Sequence, residues 1–360
     1  MANLNQLSVS KVAERGQSAT ILLMKLSLDD LWWDSSAIID VSGGAMKILL
    51  TGGTGFIGQE LLKSLCTHHV VILTRDSSKA RQALQHLKFE TISFIDSLEH
   101  LDDLNDFDAV INLAGEPIAD KRWTSRQKER ICHSRWNITE RIVSLIHAST
   151  EPPHTFISGS AVGYYGDQQE HPFDECLQVN RHDFTHHVCK QWEELALKAR
   201  SDNTRVVLLR TGVVLAPNGG ALKKMLLPYK LGLGGPIGSG KQYIPWIHML
   251  DMVRAIVFLL ETDHAHGAFN LSSPHPITNK HFSQQLAKTL KRPHLLFTPR
   301  WLSHLQWERA PVCCSIASEQ NLKGSPNLVM CSATHALSPP CEICCNTFTD
   351  NSSFHALAME

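Results

Sequence analysis

The feature that most constrains this chain is a run of three glycines, Gly52-x-x-Gly55-x-x-Gly58, set directly after the apolar segment Lys47-Ile-Leu-Leu-Thr51. Apolar residues at Leu62 and Leu65 continue a helical period beyond it, and Val70-Val-Ile-Leu-Thr74 then reads as a second strand. A strand–glycine turn–helix–strand unit of this kind lets the backbone approach a pyrophosphate closely. It also aims the unsatisfied N–H groups of a helix start at that anion. The spacing differs from the Gly-x-Gly-x-x-Gly of many dehydrogenases, but its context between two strands favours nucleotide binding over an ordinary turn.

The rest of the middle region repeats the alternation. Strands are expected at Ala109–Leu113, Thr155–Ser158 and Val206–Leu209. Helices are expected at Ser78–Leu87, Thr124–His147, Asp183–Ala199, Met249–Leu260 and Asn279–Leu290. Thr124 with Gln127 forms a capping-box signature, and Asp183 is a candidate N-cap. The alternation is that of an α/β fold, a parallel sheet with crossover helices.

At 360 residues, with 43% hydrophobic and 19% charged residues, the chain can bury one large α/β unit and a smaller partner domain. The net charge of −1 argues against nucleic-acid or anionic-membrane binding. No apolar run reaches the roughly 18 residues that a bilayer requires, and Ala19–Met24 is too short for a signal peptide. A cytoplasmic protein with reduced thiols is expected. Six of the ten cysteines, Cys313, Cys314, Cys331, Cys341, Cys344 and Cys345, lie near the end of the chain. Cys341-x-x-Cys344 has the spacing of half a zinc site, but the adjacent pair Cys313–Cys314 that would complete it is not the usual spaced ligand pair. The histidine doublets His68–His69 and His186–His187 read as packing or surface residues. No metal site is assigned.

The end of the second strand selects the dinucleotide. An acid there bonds a ribose 2′-hydroxyl, whereas an arginine pairs with a 2′-phosphate. Here Thr74-Arg75-Asp76 places arginine first, which favours NADP(H) over NAD(H).

A set of further segments carries a resemblance. These are Met46-Lys-Ile-Leu-Leu-Thr-Gly-Gly-Thr-Gly-Phe-Ile-Gly58, Val110-Ile-Asn-Leu-Ala-Gly-Glu-Pro-Ile118, Ser134-Arg135, Ser158-Gly-Ser-Ala-Val-Gly-Tyr-Tyr-Gly166 and Trp192-Glu193. Arg210-Thr-Gly-Val-Val-Leu-Ala216, Gly232-Leu-Gly-Gly-Pro-Ile-Gly-Ser-Gly240 and Trp246-Ile-His248 complete it. Over residues 46–310 the chain resembles the extended short-chain dehydrogenase/reductase superfamily, in particular its NAD-dependent epimerase/dehydratase-like members of the YfcH-type epimerase-like subfamily. The resemblance implies the Rossmann-type doubly wound form of the parallel sheet, with a Rossmann domain over residues 46–215 and a smaller C-terminal substrate domain over residues 216–310, some segments returning to the sheet.

Carried over residue by residue, Gly52, Thr54, Gly55, Phe56, Ile57 and Gly58 would cradle the pyrophosphate. Thr74 and Arg75 would hold the adenosine ribose and its phosphate. Leu113, Ala114 and Gly115 would pass beneath the cofactor. Arg135 is a further candidate phosphate contact, and Val214 would line the nicotinamide side. The superfamily's Tyr-x-x-x-Lys dyad, however, falls on Thr185 and Cys189, neither of which can exchange the tyrosine's proton. Ser160 matches the usual active-site serine. Tyr165 matches the tyrosine that follows it, either as a substitute acid or as a packing aromatic. Trp246 and His248, with the glycine-rich stretch before them, are candidates to face substrate, a structural histidine being the alternative.

The expected function is an NADP(H)-binding, epimerase-like oxidoreductase on a small molecule such as a sugar nucleotide or carbonyl compound. The alternative is a non-catalytic NADP(H)-binding sensor or partner protein. A homodimer is compatible with either. Residues 1–45 show no sustained period, so Met46 is the expected functional start. Residues 311–360 turn Cys- and Ser-rich within what should be a domain, as translation in a shifted frame would produce, a newly acquired zinc tail being the competing idea. These residues are expected to pack poorly and the substrate domain to be incompletely closed, with apolar surface exposed.

Overall fold

The computed structural model describes residues 44–87, 91–166, 168, 174–179, 181–273 and 277–294. The expectations for Ala19–Met24, for the N-terminal extension before Gly44 and for the Cys-rich tail lie outside the described residues.

The chain runs through β1 (Lys47–Thr51), α1 (Phe56–Ser64), β2 (His69–Leu73), α2 (Ser77–Ala83), β3 (Ile92–Ile95), β4 (Ala109–Asn112), α3 (Ser125–Ala148) and β5 (Thr155–Ala161). It continues through α4 (Phe184–Leu197), β6 (Arg205–Thr211), β7 (Val213–Ala216), α5 (Gly220–Lys230), β8 (Tyr243–Ile244), β9 (Trp246–His248), α6 (Met249–Glu261), β10 (Gly267–Leu271), β11 (Ile277–Thr278) and α7 (Asn279–Thr289). Seven strands form one parallel sheet in the order β10-β6-β5-β4-β1-β2-β3. The order reverses between β1 and β4, and in a doubly wound sheet the ligand crevice opens at the carboxyl ends of the strands at that point.

Alternation along β1 builds both faces of the core. Ile48 and Leu50 pack with Leu61 and Leu62 of α1 and Ile256 of α6. Leu49 packs with Val110 and with Ile142 and Ile146 of α3. A separate cluster, Leu215, Leu222, Leu226, Tyr229, Trp246 and Phe282 among its members, forms the core of a smaller lobe built from β7, α5, β9 and α7. The segments α6 and β10 return to the large sheet.

Local signals explain the helix starts. Thr124 Oγ1 accepts from Gln127 N at 3.2 Å, and Asp183 Oδ1 accepts from His186 N at 2.9 Å. The capping box closes on one side only, because Gln127 Nε2 turns to Glu116 Oε1 at 3.3 Å. His68 packs as expected, its Nδ1 accepting from Met46 N at 3.1 Å. Helix α2 stops at Ala83, short of the expected Leu87. Among the described residues no helix is long and apolar enough to cross a membrane.

Candidate functional site

The glycine turn is shaped by contacts that exclude side chains. Gly52 has φ +73, and a Cβ there would stand 2.7 Å from Leu113 O; a Cβ on Gly58 would collide with Gly52 O. The turn is closed by Gly55 N donating to Gly52 O at 2.9 Å. Gly55 then sits at the N-cap of α1 with no side-chain cap, so the first-turn N–H groups are left to solvent or an anion. The fit to a dinucleotide pyrophosphate rests on that uncapped helix start and on a cradle that any Cβ would fill.

The floor beside the turn is fixed by a buried chain of hydrogen bonds that the sequence did not single out. Thr51 Oγ1 donates to Asn112 Oδ1 at 2.6 Å and accepts from Ala114 N at 3.1 Å. Asn112 Nδ2 and Trp192 Nε1 both donate to Thr139 Oγ1, at 2.9 and 3.0 Å. These bonds hold Leu113, Ala114 and Gly115 at the tip of β4. The Arg135 guanidinium lies against Gly115, where a Cβ would come within 2.9 Å of Cζ. It donates to Ile131 O at 2.9 Å and Glu116 O at 3.1 Å and sits 5.3 Å from the Trp192 ring centroid. Its bonds therefore brace the loop after β4.

At the tip of β2, Asp76 is committed to its own helix. Its carboxylate caps α2 by accepting from Lys79 N at 3.0 Å and pairs with Lys79 Nζ at 2.9 Å. The Lys79 backbone N–H, and then its ammonium, hold the Asp76 carboxyl below its usual pKa. Arg75 is exposed and has no hydrogen-bond or ion-pair partner among the described residues. Thr74 lies beside it, half-buried.

Phe56 reaches out of the Rossmann half. A Cβ on Gly219 or Gly220 would fall 2.5 or 2.6 Å from its ring, so the start of α5 rests on this phenyl group. Ile57, also half-buried, packs against the large core. The Val214 side chain packs in that core with Ile247 and Met249, so any cofactor contact there falls to its backbone.

The candidate reacting groups lie among buried polar partners. Tyr165 is fully buried, donates to Asn270 Oδ1 at 2.8 Å and accepts from Arg210 Nη1 at 2.7 Å. Burial pushes its hydroxyl up to about 12, a poor proton donor near neutrality. Ser160 Oγ donates to Glu193 Oε1 at 2.6 Å. Burial would lower the Arg210 pKa, but its bonds to Glu193 outweigh that and raise it. Tyr165 and Ser160 thus belong to a buried ionic network beneath the β5–β6 tips. The dyad positions carry no substitute. Thr185 Oγ1 donates to Asp183 Oδ1 at 2.6 Å, and Cys189 is buried.

In the smaller lobe Trp246 is a core residue, and the stretch Trp246–His248 pairs as a strand with β7. His248 caps α6, its Nδ1 accepting from Leu250 N at 3.2 Å, and burial lowers its pKa. This bond gives His248 a capping role, while Trp246 is buried in the core of the lobe.

An uncapped glycine turn at the β1/β4 switch point of a parallel sheet, with a smaller lobe seated over its carboxyl end, defines a Rossmann dinucleotide-binding protein of the extended short-chain type. The chain belongs to the NAD dependent epimerase/dehydratase family, whose family model matches residues 48–272. It is 36% identical over 263 residues to an epimerase family protein of Staphylococcus haemolyticus, covering 72% of this chain and 85% of the relative. It is 39% identical over 258 residues to the chloroplastic SDR39U1 homolog of Arabidopsis thaliana, covering 71% and 74%. Among solved structures, human epimerase family protein SDR39U1 with NADPH aligns at a TM-score of 0.66 and 31% identity, covering 76% of this chain and 90% of that one. A Bacillus cereus UDP-glucuronic acid 4-epimerase, at 20% identity and a TM-score of 0.60, shares the fold.

Proposed function

We propose that the chain binds NADPH, in preference to NADH, across the carboxyl ends of β2, β1 and β4, and acts as an epimerase-like oxidoreductase on a small molecule. The observation that carries the cofactor choice is the division of labour at the tip of β2. Asp76, the acid able to bond a 2′-hydroxyl, caps α2 and pairs with Lys79, while the neighbouring Arg75 guanidinium stands open to a 2′-phosphate. The human relative solved with NADPH supports the same choice.

In this reading the bound cofactor supplies a hydride. Gly52 to Gly58 receive the pyrophosphate, Thr74 and Arg75 the ribose and its phosphate, and Leu113 to Gly115 form the floor. Residues 46–215 act as the cofactor domain and residues 216–310 as the substrate domain. A cytoplasmic setting and a homodimer remain part of the proposal. The second reading, NADP(H) binding without turnover, is favoured by Thr185 and Cys189 in the dyad positions.

Calorimetry with NADPH and NADH tests the first point. NADPH should bind tighter, and Arg75→Ala should weaken NADPH by about 1–3 kcal/mol while leaving NADH little changed. Equal losses for both cofactors overturn the assignment. A NADPH-oxidation screen over carbonyl compounds and sugar nucleotides separates the two readings, since binding without any turnover selects the second.

A further inference from the structure

The first turn of α5 touches two segments of the Rossmann half. At its root α5 is seated by the tight turn after β7, where Leu215 and Ala216 bridge back to Gly220 and Gly219. Gly219 and Gly220 stand against the ring of Phe56, the residue that follows the Gly55 cap at the start of α1. Four residues on from Gly220, about 6 Å along the helix axis, Lys224 reaches the loop after β4. Its Nζ donates to Ala119 O at 3.0 Å and pairs with the Asp120 carboxylate.

That loop continues the Leu113–Gly115 floor directly, and its start is held firmly. Glu116 N donates to Ser134 Oγ at 2.9 Å, Glu116 O accepts from Arg135 Nη2 at 3.1 Å, and Glu116 Oε1 accepts from Lys121 Nζ at 2.9 Å. Trp123 Nε1 donates to Ile118 O at 2.7 Å, which folds the loop back on itself. Between these ties residues 117–122 are all exposed. The glycine turn and the floor meet where Gly52 lies against Leu113 O. One turn of helix therefore joins the glycine turn, through Phe56, to the end of the floor, through Lys224.

We propose that Lys224 is a positioning residue for the cofactor: by holding Ala119 and Asp120 it latches the loop after β4 to α5 and keeps the first turn of α5 across the pyrophosphate. This rests on the reading of the cleft as an NADPH site, and it gives the smaller lobe a part in retaining the cofactor. The Lys224 and Asp120 side chains are 41% and 51% exposed, so the latch is weak, opens readily and is loosened by salt. The cofactor enters while the latch is open. Its closure acts on departure rather than arrival.

Stopped-flow displacement of NADPH from the full chain tests this. Lys224→Met and Asp120→Ala should each raise koff roughly two- to fivefold, the range of an exposed pair, with kon little changed. The double variant should release no faster than Lys224→Met alone. Raising sodium chloride from about 0.05 to 0.5 M should narrow the gap between Lys224→Met and the unaltered chain. Lys223, exposed on the same turn, controls for charge, and Lys223→Met should leave both rates unchanged. Faster release in Lys224→Met but not in Asp120→Ala would mean that the ammonium grips the cofactor itself, which overturns the latch. Equal effects of Lys223→Met and Lys224→Met, multiplying effects in the double variant, or a change confined to kon also overturn it. An unaltered chain that does not bind NADPH defeats the cofactor reading itself, whereas binding with the same koff in every variant defeats the latch alone.

Discussion

The Arg210 guanidinium grips the Glu193 carboxylate through two parallel bonds, Nε to Oε1 at 2.9 Å and Nη2 to Oε2 at 2.8 Å, with both side chains only 6% exposed. This pair joins β6 to α4 beneath the site. Removing one partner of a buried pair leaves an uncompensated charge, which costs roughly 3–5 kcal/mol. Arg210→Met should lose about that much in urea unfolding, and adding Glu193→Leu should recover part of it. A loss below about 1 kcal/mol in the single variant would show that the pair is solvated.

Tyr165 hangs on the same pair, its hydroxyl bonded to Arg210 Nη1 and Asn270 Oδ1. Tyr165→Phe leaves both of those groups short of a partner, so a stability loss of about 1–3 kcal/mol is expected, with NADPH affinity unchanged. A Tyr165→Phe protein that is fully stable yet inactive would return Tyr165 to the role of reacting acid.

The first βαβ unit was legible in the sequence because its signals are contiguous: a short apolar strand, glycines where a Cβ cannot fit, and a helix with Leu61 and Leu62 buried. The parallel sheet followed from repetition of that pattern. What the sequence concealed is non-local or locally contradictory. Helix α5 contains Pro228 and leaves Leu227 in solvent, so its amphipathic period is broken. Trp246–His248 looks like a loop until it pairs with Val213–Leu215, and β6 runs on past the expected Val206–Leu209 to Thr211, with the unexpected β7 following Gly212. The chain Thr51–Asn112–Thr139–Trp192 joins residues 61, 27 and 53 positions apart, separations at which no motif spacing operates. The partners of Ser160 and Tyr165, namely Glu193, Arg210 and Asn270, are hidden for the same reason, since they come from distant strands and helices.

Phe56 and Gly219 couple the cofactor turn to the smaller lobe. Gly219 has an extended backbone, φ −166, that any residue adopts, so a substitution there acts through packing alone. In Gly219→Val the new side chain displaces the Phe56 ring, and NADPH affinity should fall about tenfold, or 1.4 kcal/mol. In a Phe56→Ala background the same Gly219→Val change should cost little, since the clash is gone. Equal penalties in the two backgrounds would show that the ring does not transmit the effect.

His68 and His248 make stability depend on pH. Each accepts a backbone N–H at Nδ1, from Met46 and Leu250, and burial lowers the pKa of each. The folded state therefore binds these protons less readily than the unfolded state does, whose histidines titrate near 6.5. Their contribution is fully present above that value and is lost as pH falls through 6.5 toward the lower folded values. Asparagine is a strong N-cap that does not titrate, so His248→Asn should match the unaltered protein at pH about 8 within roughly 0.5 kcal/mol. Below pH 6.5 its stability should fall less steeply, one of the two groups having been removed. His248→Ala should instead lose about 1 kcal/mol already at high pH, because the cap itself is gone. Urea unfolding of the three proteins between pH about 5 and 8 decides it: parallel slopes for the unaltered and Asn proteins would mean that His248 does not titrate with folding.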